Sequence, residues 1–250
     1  MKIALTLSGG GARCVAQLGY LEPLFELGIR PQAISGSSGG AIIGAFLAKG
    51  YTPKECLELI KNFPYGKISL NLFRGSLFDL GSIYEKLKAL GLESFEELPI
   101  PFFATVTEYE SGRTRYLHSG DLALSVLASC ALIPIFAPIT IDGIRYIDGG
   151  FTDNLPLNPI KKYPFRLSIN VNPLHHLPFK KSFWGNLKRA GYIMLNANVR
   201  PSIPLATKHV QIEETGNFGI LDTKHFDQIY AIGAKIAQKE MEYWHDCLRS

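Results

Sequence analysis

The 250-residue chain has only four cysteines, Cys14, Cys56, Cys130 and Cys247, and no two of them form a Cys-x-x-Cys pair. Their scatter supplies neither zinc-ligand spacing nor a disulfide framework, and reduced thiols fit a cytoplasmic protein. Charge is also sparse, at 19% of residues against 46% hydrophobic. That balance excludes a disordered chain and leaves ample material for a core. The apolar run near the amino terminus, Ile3 to Leu7, is too short for the core of a signal peptide and runs into Gly9-Gly10-Gly11 instead of a cleavage site. One uncharged stretch is nominally long enough to span a membrane, the 20 residues Leu122 to Ile141 between Asp121 and Asp142. Pro134 and Pro138 interrupt its second half, so it reads as a buried helix entering a proline-broken loop, not as a membrane span. Internal repeats and low-complexity linkers are lacking too, and one domain over residues 1–250 is expected.

What is present is an alternation of short apolar strands and amphipathic helices. Ile3 to Leu7 reads as a strand, Ser8 to Gly11 as a glycine loop and Ala12 to Leu27 as a helix stopped by Gly28. Gln32 to Ser35 reads as a second strand, and Ala41 to Lys49 as a second helix closed by Gly50. This β-α-β-α order predicts an α/β protein with a mainly parallel sheet. Residues 62–82 have no clean period and are expected to form a cap or lid. Strands are expected at Phe102 to Thr107, Thr114 to Leu117, Arg166 to Val171 and Lys208 to Ile212, with one closing helix from Phe226 to Trp244.

Three motifs carry chemistry. Gly36-Ser37-Ser38-Gly39-Gly40 lies between a strand and a helix, the setting of a nucleophile elbow. There a sharp turn lifts a serine hydroxyl clear of the sheet, and the helix start favours developing negative charge. The same residues also suit an ordinary strand-to-helix turn. Gly9-Gly10-Gly11 allows successive amides to converge on one anionic atom. Neither a dinucleotide fingerprint nor a P-loop fits, since Cys14 stands where the former needs glycine and no Gly-Lys-Ser/Thr follows either loop. Asp148-Gly149-Gly150, followed by Asn154-Leu155-Pro156, offers a carboxylate in a tight loop, either a base or simply a turn former.

In this order the motifs resemble the patatin-like phospholipase family: Gly9-Gly10-Gly11-Ala12-Arg13, Gly36-x-Ser38-x-Gly40 and Asp148-Gly149-Gly150, with Ala128 to Pro134 and Asp153 to Pro156 also similar. The resemblance spans roughly residues 1–172. It implies a three-layer α/β/α sandwich and a serine acyl hydrolase of the phospholipase A, lysophospholipase or esterase type. By the same resemblance Ser38 is the nucleophile and Asp148 the base, and the oxyanion is held by Gly9, Gly10 and Gly11. Arg13, Gly36, Gly39, Gly40, Gly149 and Gly150 support the site, and no metal or organic cofactor is called for. Cys14 departs from the family, which usually has another glycine there, and puts the loop geometry in question.

The alternatives are a Ser-His acyltransferase, an α/β-hydrolase-type esterase using one of six histidines (His175 or His176 first), and a non-catalytic lipid-binding relative. Asn154 to Ile212 holds nine basic residues and no acidic one, leaving 17 basic against 22 acidic in the rest of the chain. Within it, Phe183 to Leu195 predicts an amphipathic helix, with Phe183, Trp184, Leu187, Met194 and Leu195 on one face. Such a helix either packs on its own domain or, with this charge, makes peripheral contact with an anionic membrane through residues 161–208, at the inner surface, whereas no motif accompanies the charge to indicate nucleic acid.

Overall fold

Strand β1 (Lys2–Leu7) alternates large and small residues. Ile3, Leu5 and Leu7 enter the main core, while Ala4 and Thr6 face the other side. β2 (Arg30–Ser37) lies parallel to β1, from Lys2 opposite Arg30 to Leu7 opposite Gly36. That ladder runs longer than the Gln32 to Ser35 expected, because pairing with β1 and β3 carries the strand through Gly36 and Ser37 of the elbow. The computed structural model describes residues 1–62, 81–174 and 182–249. The expected cap at 62–82, His175, His176, Lys180 and Lys181 fall almost wholly outside them.

Helix α1 (Val15–Glu26) follows a 3-10 turn at Gly11–Cys14, so the first turn of the expected helix is wound more tightly. α2 (Gly39–Lys49) ends at Gly50, whose φ of 109° suits glycine. α3 (Pro53–Lys61) was not expected, although Thr52 and Glu55 form a capping box at its start. After α4 (Gly81–Ala89), strands β3 (Phe102–Glu108) and β4 (Thr114–Leu117) form the anticipated hairpin. The uncharged run is indeed a buried helix, α5 (Leu122–Ser129), leading into a loop. Beyond the prolines comes an unforeseen hairpin, β5 (Ile139–Ile141) and β6 (Ile144–Asp148), which pairs antiparallel with β3. β7 (Arg166–Asn170), α6 (Phe183–Val199) and β8 (Lys208–Gln211) follow as expected. The expected closing helix is instead two, α7 (Phe226–Lys239) and α8 (Met241–Arg249), which break at Glu240.

The sheet runs β5-β6-β3-β2-β1-β7-β8, with β4 alongside β3; its β3-β2-β1-β7-β8 portion is parallel. This is the predicted helix-flanked α/β sheet, but its two covering layers are unequal. α1, α2, α3, α5 and α7 build the large core on one face. On the other face the small residues Ala4, Thr6, Ala33 and Ser35 admit the segment around Pro156, whose carbonyl accepts from the Ser35 hydroxyl at 2.6 Å. α1 and α7 cross at Gly19 and Gly233. A Cβ on Gly19 would strike the Tyr230 carbonyl, and one on Gly233 the Ala16 carbonyl, so only glycine lets the two backbones touch. Parallel strands β1 and β2 thus end side by side at the loops after Leu7 and Ser37, where a parallel sheet gathers its functional loops.

Candidate active site

Ser38 joins β2 to α2 with φ 52° and ψ −127°, a backbone region costly for a residue with a side chain. Two packings hold it there. Gly40 sits so tightly on the Leu7 and Ser8 carbonyls that it has no room for a Cβ, and Gly36 is pressed equally closely against Gly40. The Ser38 amide donates to the Ser129 hydroxyl at 2.9 Å, and Ser129 in turn donates to the Thr105 carbonyl at 2.6 Å. The C-terminal end of α5 is thereby tied to both the elbow and β3. Ser129 lies in a stretch singled out from the sequence, but its bracing role had no local signal.

Asp148 is the last residue of β6, not part of a free loop. The pairing of Val106 with Asp148 delivers its carboxylate to the elbow, and its amide donates to the Ala131 carbonyl at 3.1 Å. The side chain is only 3% exposed, and one oxygen accepts the Gly150 amide at 2.7 Å. Burial raises its pKa from 3.8 to about 6, against the pull of the Ser38 hydroxyl and the Gly150 amide, which both favour the charged form. Gly149 packs on the Thr105 carbonyl and leaves no space for a side chain.

The three loop glycines differ. The Gly9 amide is already spent on the Asn154 carbonyl at 3.3 Å, and its own carbonyl accepts from the Asn172 amide group. Gly10 and Gly11, with φ 155° and 58°, have amides without a partner among the described residues. The next amide, Ala12, donates to the Ile220 carbonyl at 2.8 Å. Arg13 is buried, donates from Nε to the Phe218 carbonyl at 2.8 Å and stacks over the Tyr192 ring at 5.4 Å. It fixes the loop from behind. Cys14 does not disturb the loop: its thiol reaches the Ser8 carbonyl at 3.4 Å and fits against Gly39, where a side chain would collide with the sulfur.

Two cavities meet at Ser38, with Gly11, Leu132 and Ile220 on their shared border. One, of about 240 Å³, runs into the large core between Val15, Ile42, Phe46, Leu87, Leu127 and Phe226. The other, of about 470 Å³, is bounded by Asp148, Asn154, Asn172, Tyr192 and Met194. Asn172 and Asn154, neither assigned a role from sequence, thus combine loop support with a place on the cavity wall. From α6, Asn198 accepts the Asn154 amide at 3.0 Å and donates to the Gly150 carbonyl at 2.9 Å.

His118, His209, His225 and His245 line neither cavity. His209 is engaged with Ser168 across β7 and β8, and His225 with Asp222. Among the described residues, no three His, Cys, Asp or Glu side chains gather as a metal site, and no helix is long and apolar enough to cross a membrane.

Residues 5–160 match the patatin-like phospholipase family. An uncharacterized NTE family protein of Mycobacterium bovis is 33% identical over 177 residues, which cover 68% of this chain and 49% of that protein. Lysophospholipase NTE1 of Scheffersomyces stipitis is 25% identical over 280 residues, covering 97% of this chain and 18% of the yeast protein. The chain therefore spans half or less of the length of these relatives. Among solved structures, full-length ExoU of Pseudomonas aeruginosa in complex with SpcU aligns over 100% of this chain and 53% of its own, with 18% identity and a TM-score of 0.48.

Proposed function

The chain belongs to the patatin-like phospholipase family, and from that premise we propose that it is a serine hydrolase of lipid carboxylic esters working through a Ser38–Asp148 dyad. One observation carries the reading: a strained serine at a helix start is hydrogen-bonded to a buried carboxylate with a raised pKa, and shares a cavity with Gly10 and Gly11, whose amides have no partner among the described residues. In the first half-reaction Asp148 takes the Ser38 proton as Oγ attacks the ester carbonyl. The Gly10 and Gly11 amides receive the oxyanion; Gly9, with its amide committed, shapes the loop instead. Collapse expels the alcohol, which recovers the proton from Asp148 and leaves an acyl-serine. In the second half-reaction Asp148 deprotonates water as it attacks the acyl-serine carbonyl; collapse releases the fatty acid, and Ser38 Oγ recovers the proton from Asp148.

The narrow apolar cavity suits the acyl chain, and the wider cavity with Asn154 and Asn172 suits the alcohol portion. The yeast relative named a lysophospholipase supports phospholipid esters among the substrates. The basic stretch 161–208 supports a peripheral contact with an anionic membrane surface, which this reading puts on the cytoplasmic side. A fluorophosphonate is expected to label the wild type, and Ser38→Ala to lose both labelling and acyl release from a lipid panel followed by mass spectrometry. Labelling that survives in the variant overturns the assignment.

A further inference from the structure

The first half of α6 stands away from the rest of the molecule. Phe183, Trp184, Leu187 and Met194 are 75%, 74%, 56% and 72% exposed. Phe183, Leu187 and Met194 fall on one stripe of the helix, with Trp184 beside it. Such a run of large apolar side chains in water marks an interaction surface. Its exposure is not that of a frayed end. Ser182 caps the helix by accepting the Gly185 amide at 3.0 Å, Arg189 donates to the Leu174 carbonyl at 2.6 Å, and Asn198 and buried Val199 seat the far end.

The stripe leads into the candidate active site. Met194 and Gly191 line the wider cavity beside Ser38 and Asp148, and exposed Phe151 lines it as well. Exposed Leu221 stands on the wall of the narrow cavity. Apolar side chains thus surround the approach to Ser38. Along the sequence of α6 the charge has a single sign: Lys180 and Lys181 just precede the helix, Lys188 and Arg189 lie within it, and no acidic residue occurs from Asn154 to Ile212.

We propose that the amino-terminal half of α6 is a docking element that seats Phe183, Trp184 and Leu187 in an anionic lipid surface, turning the cavity mouth toward the bilayer. A lipid leaving the bilayer then passes Met194 to reach Ser38 without crossing open water. Delivery to Ser38 rests on the hydrolase reading; the docking does not. Aromatic and aliphatic side chains flanked by basic ones are the pattern that binds such interfaces. A second copy of the chain fits less well, since a two-fold contact through this face would set one all-basic stretch against another.

Trp184 also provides the test. The protein has two tryptophans, and Trp244 is fully buried, so added quenchers report on Trp184. Vesicles of brominated phosphatidylcholine with phosphatidylglycerol are expected to quench it, and added salt to relieve the quenching. The triple variant Phe183→Ala/Trp184→Ala/Leu187→Ala is expected to lose vesicle sedimentation and vesicle-lipid hydrolysis by on the order of a hundredfold, while cleaving a soluble short-chain ester at the wild-type rate. The proposal is overturned if vesicle-bound wild type keeps an unquenched Trp184, or if the triple variant sediments like wild type. It is equally overturned if lipid-free wild type is a dimer that this variant splits, which would give the face to a second copy. A wild type that docks through Trp184 but cleaves no ester would remove the hydrolase reading and leave the docking intact.

Discussion

At Asp148 two demands conflict. As the proposed base the carboxylate must be charged to accept a proton, yet its site is dry enough to raise its pKa from 3.8 to about 6. Hydrolysis of a soluble ester is therefore expected to rise with pH through about 6 and then level off, and kcat/KM against pH measures this. Stability carries the opposite sign. An acid whose folded pKa lies above its unfolded value holds its proton more tightly when folded, so folding is penalised progressively as pH rises from about 4 past about 6. Asp148→Asn, which keeps an oxygen for the Gly150 amide, is expected to lower turnover by several orders of magnitude. At pH 8 it is also expected to gain up to about 3 kcal/mol of stability that is absent at pH 4, as read by thermal denaturation. Ser129→Ala leaves a buried amide and a buried carbonyl without their shared hydroxyl, and denaturant unfolding is expected to show a loss of about 1–3 kcal/mol with reduced turnover. The motifs that hold Ser38, Asp148 and the glycine loop were legible in the sequence because the roles proposed for them need a few residue types at fixed short spacing, and the fold brings all three to the borders of the same cavity. Ser129, Asn172 and Asn198 were not, because the bonds that give them a role join residues 91 and 24, 163, and 44 and 48 apart. The silent Gly9 amide escaped for the same reason: its acceptor, Asn154, lies on the far side of the sequence.

Among the elements, those with a strong period or a glycine stop were read correctly, as with α2 and its stop at Gly50. The misses have identifiable physical causes. α3 announces itself only through the four residues Thr52-Pro53-Lys54-Glu55, a capping signal without a long apolar period behind it. The β5–β6 hairpin is short and half exposed, so its alternation is weak, yet it is what brings Asp148 to the elbow. The split between α7 and α8 at Glu240 is made by distant partners. That side chain receives hydrogen bonds from Tyr20 at 2.5 Å and Lys208 at 3.0 Å. α6 differs from the rest in that one end serves the site and the other is left bare. Removing its clamp with Asn198→Ala is expected to cut turnover about tenfold or more by loosening the Gly150 segment, with the soluble-ester kcat as the readout. On α2, Ile42 faces the narrow cavity, and Ile42→Trp is expected to shift acyl preference toward shorter chains in competition assays with mixed esters.

Across the whole molecule, the unequal layers and the segregated charge share one orientation. The thick helical layer encloses the acyl-sized cavity, while the thin layer, with α6 and the basic stretch, meets the outside. Composition could suggest the charge asymmetry, but the sheet order that sets it beside Ser38 comes from pairings far apart in sequence. The crossing of α1 and α7 at Gly19 and Gly233 has a further consequence, one of timing during translation. The ribosome has made Gly9 to Gly11, Ser38 and Asp148 by residue 148, so the growing chain holds every reacting group well before it is complete. The seat of the oxyanion loop arrives much later: the Phe218 carbonyl for Arg13, the Ile220 carbonyl for Ala12, then the α7 backbone against α1. A nascent chain arrested near residue 200 carries the dyad without a settled loop, and is expected to resist fluorophosphonate labelling. Chains extended until α7 has left the ribosome are expected to label. On this reading the proposed ester hydrolysis is held silent on the ribosome by the order in which the backbone is made.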